Sequence, residues 1–304
     1  MTSRSGGLWF LLFCVTASMM AGGDDKKSDR PDTIRIGIIG SFYRDQPDEN
    51  VKTTVTSLND LMVAQTGFKG DPVKVDDLEQ LADKVAKDEM QLGVLHGHEF
   101  AWIHKKYPEL KPLLIVVNQN LYQQGYVFVR KADGVSSFGQ LKGKSLALAK
   151  HTSEPCHLFL DRQCMEAGAK ADGFFSKITH PGNVEEALDD LVDGNGDATV
   201  VDEMALTSYQ RRKPGRFAKL KELVKSPQFP ASVAIYRPGW WQEADLKSIR
   251  DALLNAHHNP EGRQLLTMWK LTGFQEVPDD YQQSLAKIAE AYPSPKNLEK
   301  RSKN

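Results

Sequence analysis

The sequence predicts an α/β protein with two lobes and a ligand cleft between them, each lobe being a mixed, mainly parallel sheet flanked by helices. Two observations support this prediction. Apolar, strand-like runs alternate with segments of helical periodicity through most of the chain, as in parallel sheets with crossover helices. The alternation also falls into two units of similar size, followed by a helical stretch. A chain that builds one unit, crosses to a second and then returns makes a hinged cleft.

The first predicted unit begins with a strand over Thr33–Gly40, whose apolar side chains first alternate and then run continuously. Gly67 ends the helix that follows, and Pro108 limits the third helix, because neither residue continues a helix well. The other predicted segments of this unit are, in order, helix 51–67, strand 73–75, helix 78–90, strand 92–95, helix 100–107 and strand 113–117.

The second predicted unit contains strands at 126–130, 145–148, 174–178, 198–201 and 220–224, with helices at 137–144, 155–168 and 184–193. A strand at 231–236 and helices at 243–256, 260–269 and 278–292 complete the pattern. We expect one lobe from residues 33–120 plus 231–292 and the other from 121–230, with hinges near 118–124 and 226–230. Residues 293–304 are predicted to form a polar tail.

The N-terminus has the features of an export signal. Arg4 precedes an apolar run, Leu8–Val15, which is too short for a comfortable membrane span but suits the core of a signal peptide. We expect a signal peptide over 1–23 and a flexible tether over 24–32, and hence a periplasmic or otherwise exported protein. An uncleaved N-terminal anchor is the alternative, and small residues at two places leave the cleavage site open.

The net charge argues against nucleic acid and acidic membranes as partners, and the cysteine spacing argues against a disulfide. Of the 304 residues 26% are charged, and the formal net charge is −1, so no overall field attracts nucleic acid or an acidic membrane. Two cysteines remain after processing, Cys156 and Cys164. On one helix they would lie about 12 Å apart along the axis, whereas a disulfide needs Cα atoms within roughly 7 Å of each other. We expect both thiols to be free.

Ligands of open α/β sheets bind beyond the carboxyl ends of strands, so the loops at those ends are where a site is expected. The loops after Gly40, Leu95, Leu148, Ile178 and Val201 are unusually polar. Five of the eight histidines lie in or beside these loops, a concentration that favours a binding function there: His96, His98, His151, His157 and His180.

Thr152 and Ser153, shortly before Pro155, form the most informative pair. Ser or Thr before a proline at the start of a helix is an ordinary N-terminal cap. Free N–H groups and hydroxyls at a helix N-terminus also suit an oxyanion. The two interpretations are compatible, because one hydroxyl can cap the helix while the other binds.

A metal site is a second hypothesis for the same loops. His96 and His98, with Glu99 beside them, are residue types that bind zinc, and His151 or His180 could complete a set. No spaced motif such as His-Glu-x-x-His accompanies them.

A hydrolase in the cleft, using Cys156 or the His96/His98 pair, is a third hypothesis. Cys156 and His157 do not form a thiol–imidazole pair on a helix, because neighbouring side chains diverge by about 100°. The sequence has no Gly-x-Ser-x-Gly elbow, P-loop or dinucleotide glycine fingerprint after a strand.

Four runs carry a resemblance to a known family: Tyr126–Lys131, Ser137–Lys144, His151–Ser153 and the spacing from His180 to Asp202. The first run resembles a strand of that family, and the second resembles the segment after it, which ends in Leu-Lys-Gly-Lys. The third stands where the family has a Ser-Thr-Ser-Gly turn that grips an oxyanion. The fourth follows the family's spacing between a histidine and an Asp-Ala pair. The family is that of the phosphate-, phosphite- and phosphonate-binding periplasmic proteins that feed ABC transporters, which have the type 2 solute-binding, transferrin-like fold. The likeness covers roughly residues 33–292.

The resemblance implies an exported solute-binding protein that captures a small phosphonate- or phosphate-like oxyanion for an ABC transporter, rather than an enzyme. It implies a membrane permease as partner, a monomeric state, and neither a cofactor nor a nucleic-acid ligand. Thr152 and Ser153 are implied as oxyanion donors. The resemblance also implies a histidine at His180, an acidic group at Asp202 or Glu203, and aromatic walls from Tyr43 and from Tyr122 or Tyr126. With the histidines and Glu99 of the polar loops, the predicted ligand-binding set is Tyr43, His96, His98, Glu99, Tyr126, His151, Thr152, Ser153, His180, Asp202 and Glu203.

Two departures from the family pattern bear on the ligand. His151 replaces the first serine of the turn, and Glu154 replaces the glycine after it. Two like charges roughly 4 Å apart repel by about 4 kcal/mol at an effective dielectric of 20. We therefore expect a monoanion, a zwitterion, or a metal or metal–anion pair rather than a dianion.

Overall fold

A computed structural model describes residues 32–43, 48–118, 120–269 and 271–294. The predicted signal peptide, most of the predicted tether and residues 295–304 of the predicted tail lie outside the described residues. Within the described ranges, no helix combines the length and the apolar composition that crossing a bilayer requires.

The strands and helices follow the predicted alternation. In chain order the strands are β1 (Thr33–Ile39), β2 (Lys69–Val75), β3 (Leu92–Leu95), β4 (Lys111–Val117), β5 (Tyr122–Gln123), β6 (Gly125–Arg130), β7 (Ser145–Ala147), β8 (Lys177–Thr179), β9 (Ala198–Asp202), β10 (Leu220–Lys225), β11 (Phe229–Pro230), β12 (Ser232–Tyr236) and β13 (Gly273–Gln275). The α-helices are α1 (Asp48–Thr66), α2 (Leu78–Ala86), α3 (Gly97–Ile103), α4 (Glu154–Glu166), α5 (Ala171–Phe174), α6 (Val184–Asp193), α7 (Glu203–Arg212), α8 (Pro214–Phe217), α9 (Glu243–Leu254), α10 (Pro260–Met268) and α11 (Tyr281–Ala291). Short 3-10 segments lie at Gly40–Tyr43, Lys131–Asp133, Phe138–Leu141 and Ala256–His258.

The strands build two mixed sheets, one in each lobe. The first has the order β13-β4-β12-β3-β1-β2, and the second has the order β10-β6-β9-β7-β8. The predicted two-lobed, mixed α/β fold is confirmed.

The expectation that both sheets are mainly parallel is wrong. Among the described strands, β1 runs parallel to β2 and β3, and β7 runs parallel to β8 and β9, while the other pairings are antiparallel. The reason is the path of the chain. Two segments connect the lobes, the first crossing (residues 118–124) and the second crossing (residues 226–231). β6 follows the first and β12 follows the second, and each of these strands runs antiparallel to both of its neighbours.

The first sheet lies between two layers of helices because β1 alternates its faces. Ile34, Ile36 and Ile38 are buried in a cluster with α1, α9 and α10. On the opposite face, a Cβ at Gly37 would overlap Leu81 of α2 and lie 2.6 Å from the Met90 sulfur. The glycine therefore lets α2 pack directly on the central part of the strand.

The second sheet is also covered on both faces. Tyr126 and Phe128 of β6 are buried in a cluster with residues of α6 and α7. Val127 and Val129 belong to the cluster that includes Phe159 of α4. This burial fixes α4 against the sheet.

Two crossings connect the sheets, and they pair with each other. β5 and β11 form a two-stranded antiparallel sheet. Next to this pair, the Ser226 N–H donates to the Gly125 carbonyl at 2.8 Å, and the Ser226 hydroxyl accepts from the Gly125 N–H at 2.9 Å. Both strands of the pair lie within the segments expected to act as hinges.

Local departures from the predicted elements concern short segments. The strand expected at 174–178 is the end of α5 followed by β8. Phe174 and Phe175 pack against Phe138 with ring centroids 5.1 and 6.3 Å away, and this aromatic contact occupies the side chains that suggested a strand. The strands β5, β11 and β13 and the helices α7 and α8 were not predicted, because they are short or lack a clear apolar period.

Gly97, the first residue of α3, packs against the backbone of the second crossing. A Cβ at this position would overlap the carbonyl oxygens of Pro230 and Ala231. We expect Gly97→Ala to lower the free energy of unfolding by about 1–3 kcal/mol, as overpacking does, in urea titrations followed by circular dichroism. Gly173→Ala is the matched control, since a Cβ there has nothing within 4 Å, and it should be neutral or slightly stabilising. Equal stabilities of the two variants would contradict this packing.

Candidate functional site

A cavity of about 190 Å³ lies between the two sheets. Five polar loops at strand ends were expected to form a site. Three of them, the loops after β1, β3 and β7, contribute to the lining of this cavity. Its lining residues are Ser41, Phe42, Val94, His96, Val116, Asn118, Gln123, His151, Thr152, Ser153, Glu154, Pro155, Ser232, Trp269 and Leu271. Of the predicted ligand-binding set, His96, His151, Thr152 and Ser153 are therefore brought together.

The wall from the second lobe is the N-terminus of α4. Ser153 is the N-cap residue, and Pro155 lies in the first turn. His151 has a left-handed backbone with φ of 60°, at the turn that leads into the helix. The first N–H groups of a helix have no acceptor within it, and the helix dipole places partial positive charge there. This wall therefore favours an anion.

Thr152 and Ser153 have different roles in this turn. The Thr152 hydroxyl is buried and donates to the Ala149 carbonyl at 2.7 Å, which closes the turn. The Ser153 hydroxyl makes no capping bond, and its oxygen is buried without a hydrogen bond of normal geometry. Burial raises the pKa of the Asp202 carboxyl, and hydrogen bonds from the backbone of Ala205 and Met204 and from the Ser153 side chain offset part of that rise. The two hydroxyls thus differ in their partners, since that of Thr152 bonds the backbone and that of Ser153 interacts with the Asp202 carboxyl.

The wall from the first lobe is centred on His96. Its ring lies between Phe42 and His98, with ring centroids 4.0 and 5.4 Å away. Its Nδ1 is 3.4 Å from the hydroxyl oxygen of Ser232, another lining residue. The stack fixes the plane of the imidazole at the edge of the cavity.

Glu99 lies behind this wall and does not line the cavity. Its carboxylate accepts from the His96 backbone N–H at 2.9 Å and from the Ser41 hydroxyl at 3.0 Å. The predicted acidic ligand-binding residue therefore holds two lining residues in place, and it caps the start of α3 in doing so.

His98 is also behind the wall. It packs edge to face against Trp102 and Phe229, with centroids 5.1 and 6.1 Å away. Burial lowers the pKa of His98 well below its ordinary value, and the neighbouring His96 ring lowers it further. His98 is consequently a neutral ring in an aromatic cluster beside the second crossing.

The two predicted tyrosines support the walls from outside the lining. Tyr43 packs against Trp269 with a centroid distance of 6.1 Å, and burial raises the pKa of Tyr43 to about 12. Tyr126 is buried in the core of the second lobe, and its hydroxyl donates to the Gln124 side chain at 2.9 Å.

The loops after β8 and β9 do not reach the lining. His180 is exposed, and its Nδ1 lies 3.0 Å from the Leu148 carbonyl oxygen. β8 is an edge strand, so its loop is displaced from the centre of the lobe. Asp202 caps α7 by accepting from a backbone N–H at 2.8 Å. Glu203 is exposed and accepts from Asn120 at 3.2 Å.

The apolar part of the lining was not predicted. Val94, Val116, Trp269 and Leu271 line the cavity, and no local motif marks them. Trp269 and Leu271 reach it because β13, just beyond them, pairs with β4, a long-range contact without a strong sequence signal. The indole Nε1 of Trp269 is buried and has no hydrogen-bond partner among the described residues.

The metal and hydrolase hypotheses gain no support. In the part of the chain that the structure describes, no three His, Cys, Asp or Glu side chains are grouped to hold a metal ion. Cys156 and Cys164 are free and buried in α4, as their helical spacing predicts. Burial raises the pKa of both thiols, that of Cys164 to about 12, and the Asp202 charge adds to the rise at Cys156.

The sequence matches a family model described as the periplasmic phosphonate substrate-binding protein of ABC transporters, over residues 41–281. No curated protein sequence matches the chain significantly.

Solved structures with the same fold are similar to the chain along most of its length. XAC2383 from Xanthomonas citri, bound to chloride ion, is 17% identical with a TM-score of 0.59, over 86% of this chain and 98% of that chain. PhnD1 from Prochlorococcus marinus, in complex with methylphosphonate, is 15% identical with a TM-score of 0.54, over 86% and 98%. A binding protein component of an ABC phosphonate transporter from Pseudomonas aeruginosa is 15% identical with a TM-score of 0.51, over 89% and 97%. At these identities the likeness establishes the fold.

The burial of both thiols predicts that they are unreactive in the native protein. The thiolate is the reactive form of cysteine, so we expect iodoacetamide at pH 8 to label Cys156 and Cys164 at least about 100-fold more slowly in the native protein than in urea. Mass spectrometry of the peptides measures each cysteine separately from Cys14. Rapid native labelling of Cys156 would contradict its placement beneath the wall of the cavity.

Proposed function

Since the chain belongs to the family of periplasmic phosphonate-binding proteins of ABC transporters, we propose that it binds a small phosphonate or similar oxyanion in the cavity between its sheets and delivers it to a membrane permease. The observation that carries this proposal is the N-terminus of α4, which lines the cavity at Ser153, Glu154 and Pro155.

The proposed contacts come from both lobes. Ser153 binds an oxygen of the ligand through its hydroxyl and the backbone N–H groups at the start of α4, where the helix dipole favours negative charge. Thr152 shapes the turn, because its hydroxyl already donates to Ala149. The first lobe contributes His96, Ser232 and Trp269 to the lining.

The ligand class is proposed from two lines of support. PhnD1, which shares the fold, is in complex with methylphosphonate. Glu154 lines the cavity beside Ser153, and a carboxylate in that position disfavours a second full charge on the ligand. We therefore propose a singly charged or zwitterionic phosphonate as the preferred form.

Binding without chemical turnover is part of the proposal. The family is one of transport substrate-binding proteins. Cys156 lies outside the lining, and its raised pKa disfavours the thiolate that a nucleophile requires.

Closure of the cleft is proposed to occur about the paired crossings. Residues 33–120 with 231–292 and residues 121–230 would then move as the two lobes, in a monomer. We also propose that residues 1–23 direct export to the periplasm and that 24–32 form a tether, because the family is periplasmic and the N-terminal sequence has the pattern of a signal peptide.

Removal of the Ser153 hydroxyl tests the proposed contact. A hydrogen bond to a charged group contributes about 1.5–3 kcal/mol, so Ser153→Ala should weaken methylphosphonate binding by about 10- to 150-fold in isothermal titration calorimetry. The free energy of unfolding should fall by no more than about 1.5 kcal/mol, the contribution of one hydrogen bond, since the hydroxyl makes no capping bond and its partner is the Asp202 carboxyl.

Ser176→Ala is the matched control, because Ser176 lies in the same lobe and outside the cavity and its hydroxyl binds only a backbone carbonyl. Wild-type affinity in Ser153→Ala would remove this residue from the site. Absence of binding of both methylphosphonate and phosphate to the wild-type protein would overturn the proposed function.

A further inference from the structure

His98 is a buried titratable side chain that takes no part in the proposed ligand contacts, and it lies between the cavity wall and the second crossing. Only 2% of the residue is exposed. On one side its ring is stacked on His96, with centroids 5.4 Å apart and planes 9° apart. On another side it packs edge to face on Phe229 of β11, 6.1 Å away. One ring therefore contacts both a residue that lines the cavity and a strand of the second crossing.

The cluster around His98 continues beyond the second crossing. Phe229 packs on Tyr292, at the end of α11, with ring centroids 5.0 Å apart. Trp102 of α3 packs edge to face on His98, 5.1 Å away, and its indole N–H donates to the Tyr292 carbonyl at 2.6 Å. Aromatic contacts thus join the cavity wall, α3, β11 and the end of α11.

Among the described residues, the rings that pack on His98 carry no negative charge. Glu99, the next residue, directs its carboxylate to the start of α3 and to the loop after β1. Tyr292 is neutral behind the packed rings, because burial raises its pKa to about 12. The charge beyond it is positive, since the Arg162 guanidinium lies 6.0 Å from the Tyr292 ring centroid. These surroundings offer no counter-ion to a protonated His98.

The cluster does not accommodate a protonated His98. Its Nδ1 is buried and has no hydrogen-bond partner among the described residues. The imidazolium carries an N–H on both nitrogens, so one N–H would lack an acceptor, and a buried charge without a partner is costly. Burial accordingly lowers the pKa of His98, and the neighbouring His96 ring lowers it further. The ring can take up a proton only when its contacts open and water reaches Nδ1.

We propose that His98 is a positioning residue that couples the cavity wall to the second crossing, and that it does so only in its neutral form. The neutral ring holds His96 at the edge of the cavity and Phe229 against α3. In acid the protonated ring leaves the stack, the second crossing loosens from the first lobe, and the wall loses the fixed plane of His96. The effect on ligand affinity rests on the proposed function, whereas the opening of the cluster does not.

The direction of the pKa shift defines the pH range. A histidine whose pKa is lowered in the packed state binds fewer protons there than in the open state. The packed cluster is therefore fully stable above the ordinary value of 6.5 and loses stability as the pH falls from 6.5 toward the lowered pKa of His98. Within that range, each pH unit favours the open state by up to about tenfold.

Hydrogen exchange measured by mass spectrometry tests the opening. The wild type is compared with His98→Phe, which keeps a ring but takes up no proton, at pH 7.5 and 5.0, so that intrinsic exchange rates cancel at each pH. For amides within residues 97–104 and 226–231, the ratio of the wild-type to the variant rate should rise by up to about 30-fold from pH 7.5 to 5.0. An unchanged ratio would overturn the proposal.

His104→Phe is the matched control. His104 follows the last residue of α3, is partly exposed, and contacts the ring of Phe100 rather than that of His98. This variant should keep the pH dependence of the wild type, and its loss in both variants would contradict the assignment to His98. If His98→Phe does not fold, His98→Gln replaces it, because glutamine takes up no proton either, and the same change in the exchange ratio is expected.

Methylphosphonate titrations by calorimetry measure the coupling to the cavity. The ratio of wild-type to His98→Phe affinity should fall by up to about 30-fold from pH 7.5 to 5.0, since changes in ligand charge act on both proteins alike. A constant affinity ratio beside a changing exchange ratio would refute the coupling to the cavity wall. If no phosphonate binds at either pH, the proposed function fails, and the exchange ratio still decides whether acid opens the cluster.

Discussion

The antiparallel pairing of β5 with β11 is the contact on which the geometry of the ligand cavity depends. Close contacts tie the second crossing into both lobes. On the first-lobe side, α3 approaches the second crossing at Gly97, and the Tyr281 hydroxyl donates to the Ala231 carbonyl at 2.8 Å. On the other side, Ser226 and Gly125 exchange two hydrogen bonds. With both crossings fixed side by side, the start of α4 and the end of β3 face the same cavity.

Buried polar groups around the cavity define its walls. The Glu99 carboxylate is satisfied by the His96 backbone and the Ser41 hydroxyl. Asp202 is satisfied in part by the backbone of α7. A buried carboxylate is costly unless hydrogen bonded, so these two residues secure the loops that carry the lining side chains. Most acidic residues expected to touch the ligand therefore contribute by positioning other residues.

The two lobes contribute differently to the cavity because each meets it with a different kind of element. The second lobe presents a helix N-terminus, which is intrinsically polar because its first N–H groups lack partners. The first lobe presents the ends of buried strands and the residues after α10, whose side chains continue into the hydrophobic core.

Sequence alone determined the class of fold, the order of most elements, the family and the α4 turn, because apolar periodicity, capping residues and a short anion-binding motif are local properties of the chain. It also placed His96 and His151 in loops that line the cavity. Tertiary structure decided which strands run antiparallel, and that His98, Glu99, His180 and Asp202 lie behind or outside the lining. It also decided that Trp269 and Leu271 complete the apolar part of the lining. These outcomes depend on crossings and on the pairing of β13 with β4, contacts between residues far apart in the chain that no local pattern encodes.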